Sequence, residues 1–316
     1  MTKALILAMA ASLLSFAIPS RAEYPDKPIE IIVGYAAGGG TDVMARTVGK
    51  HLETAIGGSA TVIIKNVPGA GGQIGFTQVA NAKPDGYTLG TFNMPAALAL
   101  TFDRKAAYGV DSFTYLANFV EDPNTIVVSS SSPYQTFDAL LAAAKADPGA
   151  ITMGLSSLGG NDHFAALMLE KTTSAKFTIV PFKGAALART ALIGGHVAGG
   201  TMTLSQTTAY QDQLRVLAVL DDKRSPFRPD VPTAKELGIE VQMSSLRGIV
   251  APSGLPPEVA ARLQKALEAV NSNPKFQEMM SQQGNPIAFS SGASFANIAA
   301  KQSEIAKSIW NTTPWK

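Results

Sequence analysis

The sequence predicts an α/β protein of two lobes, each a largely parallel sheet flanked by helices. Three observations lead there. Short β-rich runs alternate with amphipathic helical stretches. Removing a leader of residues 1–22 from the 316 leaves 294, more than one hydrophobic core comfortably serves. A glycine-rich nonapeptide also occurs twice, once in each expected lobe.

The leader has the parts of a secretory signal in order: Lys3, an apolar run from Ala4 to Ile18, then small residues at Ser20 and Ala22 before a cut near Ala22. That run is shorter than the roughly 20 residues a membrane-spanning helix needs. Cleavage removes Lys3 and Arg21 and no carboxylate, so the 26 basic and 24 acidic residues become equal in number. A nucleic-acid binder carries a basic excess and a membrane-surface binder a basic amphipathic helix, so neither is expected. The absence of cysteine excludes disulfides, thiolate chemistry and a lipidated tether, which points to a Gram-negative periplasm.

Strands are expected at Ile29–Val33, Ala60–Ile64, Thr88–Thr91, Thr125–Ser129, Ile151–Met153, Lys176–Val180, Leu214–Val219 and Gly248–Ala251. Helical spacing links Val48, Leu52 and Ala55, and again Phe137, Leu140, Leu141 and Ala144. A helix over Pro257–Asn271 enters on proline and carries Val259, Leu263, Ala266, Leu267 and Val270 on one face. A last helix over Ser294–Trp310 repeats the scheme with Phe295, Ile298, Ala299, Ile305 and Ile309.

The repeated nonapeptides are Gly34-Tyr-Ala-Ala-Gly-Gly-Gly-Thr-Asp42 and Gly154-Leu-Ser-Ser-Leu-Gly-Gly-Asn-Asp162. They match at Gly34/Gly154, Gly39/Gly159, Gly40/Gly160 and Asp42/Asp162, and each ends in residues suited to cap the following helix. Glycines let several peptide N–H groups converge, and a helix amino end adds about half a positive charge, so such loops hold carboxylate or phosphate without a charged side chain. Ligands of open α/β sheets sit at those strand ends.

Enzymatic readings fare less well. Gly34 to Thr41 resembles a nucleotide-binding P-loop, but Gly40 stands where the phosphate-contacting lysine belongs. Gly154 to Gly159 misses a nucleophile elbow by one residue. The competing function is an exported α/β serine esterase using Ser156 or Ser157 with His196; His51 reads as a boundary residue and His163 as a neutral capping or packing one. With three histidines and no cysteine, no metal ligand set stands out, and no cofactor is expected.

Read together, Tyr24-Pro-Asp-Lys-Pro-Ile29, the loop Tyr35–Asp42 with Ala45-Arg46, and Asn66-Val-Pro-Gly-Ala-Gly-Gly-Gln-Ile-Gly75 resemble the tripartite tricarboxylate transporter receptors, also called the Bug family. Pro84–Leu89, Pro181–Gly184, Leu192–Gly195, Leu214–Val219, Pro229–Thr233 and Ala251–Gly254 continue the likeness in order along the whole mature chain. The resemblance implies a two-lobed periplasmic binding protein fold, type II-like, with two mixed or parallel sheets and a ligand cleft between the lobes. Lobe one would comprise residues 23–124 and 232–316, and lobe two residues 125–231. It further implies a monomeric, non-enzymatic receptor that gives a di- or tricarboxylate, acidic amino acid or aromatic acid to a two-component membrane permease. By position, the ligand-holding residues fall on Tyr35, Ala36, Ala37, Gly38, Gly39, Gly40, Asp42 and Gly71 in one lobe. In the other they fall on Ser156, Ser157, Gly159, Gly160, Phe182, Lys183 and Gly184.

The chain departs from that pattern in two places. Ala198 follows Gly195-His196-Val197 where an aspartate is common in the family, and Leu246-Arg247 stand where a tryptophan often does. Arg247 is expected in solvent, with a role in charging the cleft as the alternative.

Overall fold

A computed structural model describes residues 24–57, 60–104, 106–312 and 314–315. The expected leader lies outside them. Among the described residues no helix is long and apolar enough to cross a membrane.

The first sheet starts from parallel β1 (Ile29–Val33), β2 (Val62–Asn66) and β3 (Thr88–Met94), with β1 between the others. Helices α1 (Gly40–Ile56), α2 (Gln73–Ala80) and α3 (Ala96–Asp103) intervene or follow. The chain then enters β4 (Phe113–Ser129), 17 residues long, which at about 3.3 Å per residue spans roughly 55 Å and serves both lobes. Its first half pairs antiparallel with β9 (Ser244–Pro252) and β10 (Ile287–Ser291) in the first sheet. Its second half pairs antiparallel with β7 (Gly199–Thr203) and β8 (Leu214–Val219) in the second. That second sheet is completed by parallel β5 (Ile151–Leu155) and β6 (Phe177–Pro181), with α4 (Phe137–Ala146), α5 (Asn161–Thr173) and α6 (Ala185–Ile193) as its helices. The chain ends through α7 (Pro257–Asn271), α8 (Pro274–Gln282) and α9 (Gly292–Thr312).

Both faces of each sheet are covered, which is why the strands read as continuous apolar runs. In the first lobe α1, α7 and α8 press Leu52, Leu263, Leu267 and Phe276 onto one face. On the other face Phe76, Phe92, Phe113 and Phe295 pack together. In the second, Phe137, Leu140, Ile151 and Leu169 form one core and Leu192, Val216 and Val231 the other. Ala234 and Val241 belong to the core around Leu217 and Ala218.

Helix α7 buries the five residues its spacing predicts. Helix α9 differs: Phe295, Ala299 and Ala306 are buried, whereas Ile305 is 43% exposed. Strand β4 begins twelve residues before the expected Thr125, because burial on both faces erases the alternation that marks a strand.

Gly248 on β9 shows how closely α9 is seated. A Cβ there would lie 2.4 Å from Phe295 Cζ and 2.6 Å from the Ala117 carbonyl oxygen, and the backbone cannot give way. Gly248→Ala should therefore cost about 2–3 kcal/mol in denaturant unfolding. Gly109→Ala, which meets nothing within 4 Å, should stay within about 0.5 kcal/mol of the parent.

Candidate functional site

Three helices begin at one cleft between the lobes. Helix α1 follows the β1 loop, α5 the β5 loop and α6 the β6 loop. All three have glycine as N-cap, Gly39, Gly160 and Gly184, and none receives a side-chain cap hydrogen bond. The first N–H groups of a helix have no intrahelical acceptor, and a Ser, Thr or Asp cap normally takes one of them. Here they stay available, each reinforced by the positive end of its helix dipole. The residues expected as caps, Thr41-Asp42 and Asn161-Asp162, lie inside the first helical turn instead.

The carboxylate of Asp42 turns back on its own loop. It accepts from Gly38 N at 2.9 Å, Arg46 Nε at 3.0 Å and Asn66 Nδ2 at 2.9 Å. Burial opposes its ionisation, but Arg46, the Gly38 N–H and Asn66 outweigh it and hold the carboxyl below its usual range. In the second lobe the corresponding bond is made by a different residue: Gly159 N donates to His163 Nδ1 at 3.1 Å, again four residues on. The left-handed glycines that allow these turns are Gly38 (φ 83°) and Gly159 (φ 73°). The two loops are therefore equivalent in a register shifted by one residue from the sequence match. Asp162 has its own task, accepting from Ser156 N and Oγ at 3.1 and 2.5 Å and from Asn124 and Asn161 at 2.8 Å each. Its burial pushes the carboxyl up, against those hydrogen bonds.

Arg247 forms the floor. It is 1% exposed, which overturns the expectation of a solvated arginine. Nη2 donates to Asp122 Oδ2 at 2.6 Å and to Thr203 Oγ1 at 2.8 Å, and Nη1 to Asn285 Oδ1 at 3.2 Å. Asp122 is completely buried and also accepts from Ser205 N and Oγ. A Cβ on Gly40 would sit 2.6 Å from Arg247 Nη1, so the guanidinium lies against the start of α1 and only glycine fits above it.

Of the residues expected to hold ligand, Tyr35, Ala36, Gly39, Gly40, Ser156, Ser157, Lys183 and Gly184 line the inner cavity. Gly71 and Phe182 line an outer chamber that continues from it. Ala37, Gly38, Asp42, Gly159 and Gly160 line neither; they shape the loops, and Gly159 faces Trp315. Sequence reasoning did not name Asn93, Thr203, Gln206 or Ser245, which also line the cavity. They lie on strands and turns without a motif, so only their three-dimensional convergence marks them.

The esterase constellation does not assemble. His196 lies in the exposed turn after α6, two residues before Ala198, whose N–H donates to Thr152 Oγ1. Thr152 is at the beginning of β5, whereas Ser156 and Ser157 follow its end. Ser156 Oγ is bonded to Asp162 and not to a histidine. Among the described residues no cluster of His, Cys, Asp and Glu could hold a metal.

The family model described as "Tripartite tricarboxylate transporter family receptor" matches residues 44–313. The chain belongs to this receptor family. It is 32% identical over 313 residues to a UPF0065 protein of Cupriavidus necator, covering 96% of this chain and 94% of that protein. It is 32% identical over 271 residues to protein BugT of Bordetella pertussis, covering 84% and 82%. The solved periplasmic binding protein BugD superposes with a TM-score of 0.84 at 30% identity, over 92% of this chain and 98% of BugD. The receptor has the two-lobed fold of these relatives, with an interlobe cleft where sequence motif and helix ends coincide.

One receptor residue ties the loop geometry to pH. His163 must be neutral for Nδ1 to accept from Gly159, and burial lowers its pKa from 6.5 to about 4, with Glu170 opposing. The folded state therefore binds fewer protons than the unfolded one between those values. The contribution is complete above pH 6.5 and is lost as pH falls to 4. Thermal unfolding should show the parent losing up to about 3 kcal/mol more than His163→Gln across that window.

Proposed function

We propose that this receptor captures a small carboxylate between its lobes through main-chain N–H groups and delivers it from the periplasm to a two-component membrane permease. The observation that carries the reading is the set of three glycine-capped helix starts facing one cavity. Such ends bind anions reversibly without committing a lysine or arginine to the contact. Lys183 borders the cleft and adds a positive charge at its mouth, which raises the arrival rate of acids.

The helix ends come from both lobes, α1 from one and α5 and α6 from the other, so an acid held by all three draws the lobes together. We place the chain crossings at Asp122–Asn124 in β4 and at Met243–Ser244 before β9. The cores around Ala234 and Val241 support the second position over the expected residue 232. Closure then changes the face shown to the permease.

Calorimetry against a panel of mono-, di- and tricarboxylates and an uncharged sugar tests this directly: micromolar binding of at least one acid is expected. Binding of the sugar alone would sink the reading. Gly39→Val is a clean probe of the N–H cluster, because Gly39 has φ −82° and its Cβ would meet only the Ala36 oxygen at 3.8 Å. It should weaken the acid by about tenfold or more, about 1.4 kcal/mol, with little loss of fold stability. Gly159→Val is less informative, since positive φ and Trp315 strain the fold there.

A further inference from the structure

Two oxygen atoms at this cavity have no hydrogen-bond donor. Asn93 Oδ1 and Gln206 Oε1 are each shut away from solvent and without a partner. Asn93 is 6% exposed and its Nδ2 donates to Thr41 Oγ1 at 2.6 Å, which turns its oxygen away from the α1 start. It sits on β3 directly opposite Arg247 on β9, so the two side chains share one face of the sheet and are neighbours across the ladder. Gln206 stands in the turn after β7, on the opposite lobe. In this structure the two acceptors are thus buried unpaired, and a ligand that brings donors removes that penalty.

The charge around these oxygens decides which donor fits. Asp162 is already saturated by Ser156, Asn124 and Asn161, and Asp122 by Arg247 and Ser205. The buried cavity acceptors left without a donor are neutral amides, beside a guanidinium. An ammonium would be desolvated there without a counter-charge, whereas a hydroxyl requires none.

Resting on the carboxylate reading above, we infer that the ligand is a hydroxy acid: its anionic head meets the helix ends, and a hydroxyl near that head donates to Asn93 Oδ1. A second hydroxyl, or a carboxyl proton, reaches Gln206. Plain diacids and amino acids are selected against.

The test is calorimetric titration of the full receptor with matched pairs that differ by one hydroxyl: propionate and lactate, succinate and malate, tricarballylate and citrate, with aspartate added. The hydroxylated member of at least one pair should bind about tenfold or more tightly than its partner. Aspartate should bind no better than succinate. In Asn93→Leu the gap should fall below about threefold. Gln206→Leu, at a half-buried position, supplies a second variant if the first unfolds, and should narrow the gap as well. Equal binding within every pair, tighter binding of aspartate, or a gap that survives in both variants overturns this inference and leaves the carboxylate reading standing. Failure of every acid to bind overturns both.

Discussion

The cleft depends on one rule of backbone chemistry: an N–H at the start of a helix that finds no acceptor in its own chain must find one elsewhere. Helices α1, α5 and α6 each break the usual solution by using glycine as cap. The approach at two of these positions is open, since a Cβ at Gly39 would meet only the Ala36 oxygen at 3.8 Å and one at Gly184 nothing within 4 Å. The side chains that could have capped the helices are employed in holding the loops: Asp42 on Gly38 and Arg46, His163 on Gly159, Asp162 on Ser156. The helix starts are left uncapped because those side chains are otherwise engaged.

Beneath it lies a charge network that joins the lobes. Asp122 sits where β4 passes from one sheet to the other, Arg247 comes from β9 in the first sheet, and Thr203 and Ser205 come from the second. Removing either member of such a buried pair strands the other charge, while its net worth when intact is small. Its value here is positional: it fixes a guanidinium against Gly40 with a defined orientation, so the floor of the cleft is set before a ligand arrives.

Much of this was legible in the sequence because periodicity reports burial on one face. Strands β1 and β8 and helix α7 coincide with the runs that predict them. The first half of β4 and all of β7 were not. In β4 nearly every residue is buried, so no alternation remains. In β7, Gly199 and Gly200 carry no side chain to mark a strand, and a Cβ there would meet Met153 Sδ at 2.8 Å or the Gly154 oxygen at 3.1 Å. The loops that border the cleft stand out in the sequence through their glycines. Arg247 was misplaced because an arginine between Leu246 and Gly248 carries no sign of Asp122, which is 125 residues away in the chain.

The one-residue shift between the loops explains why the lobes can share a design and differ in chemistry. The sequence match pairs Asp42 with Asp162, but the fold pairs Asp42 with His163, leaving Asp162 free to hold Ser156. In the first lobe the anchor is a carboxylate that Arg46 keeps ionised. In the second it is an imidazole that burial keeps neutral. Both anchors accept from the same backbone position, and both leave the following glycine uncapped. What the repetition preserves is the helix start and its unsatisfied donors; the charge of the residue behind them is free to vary, since it faces the protein and not the cavity.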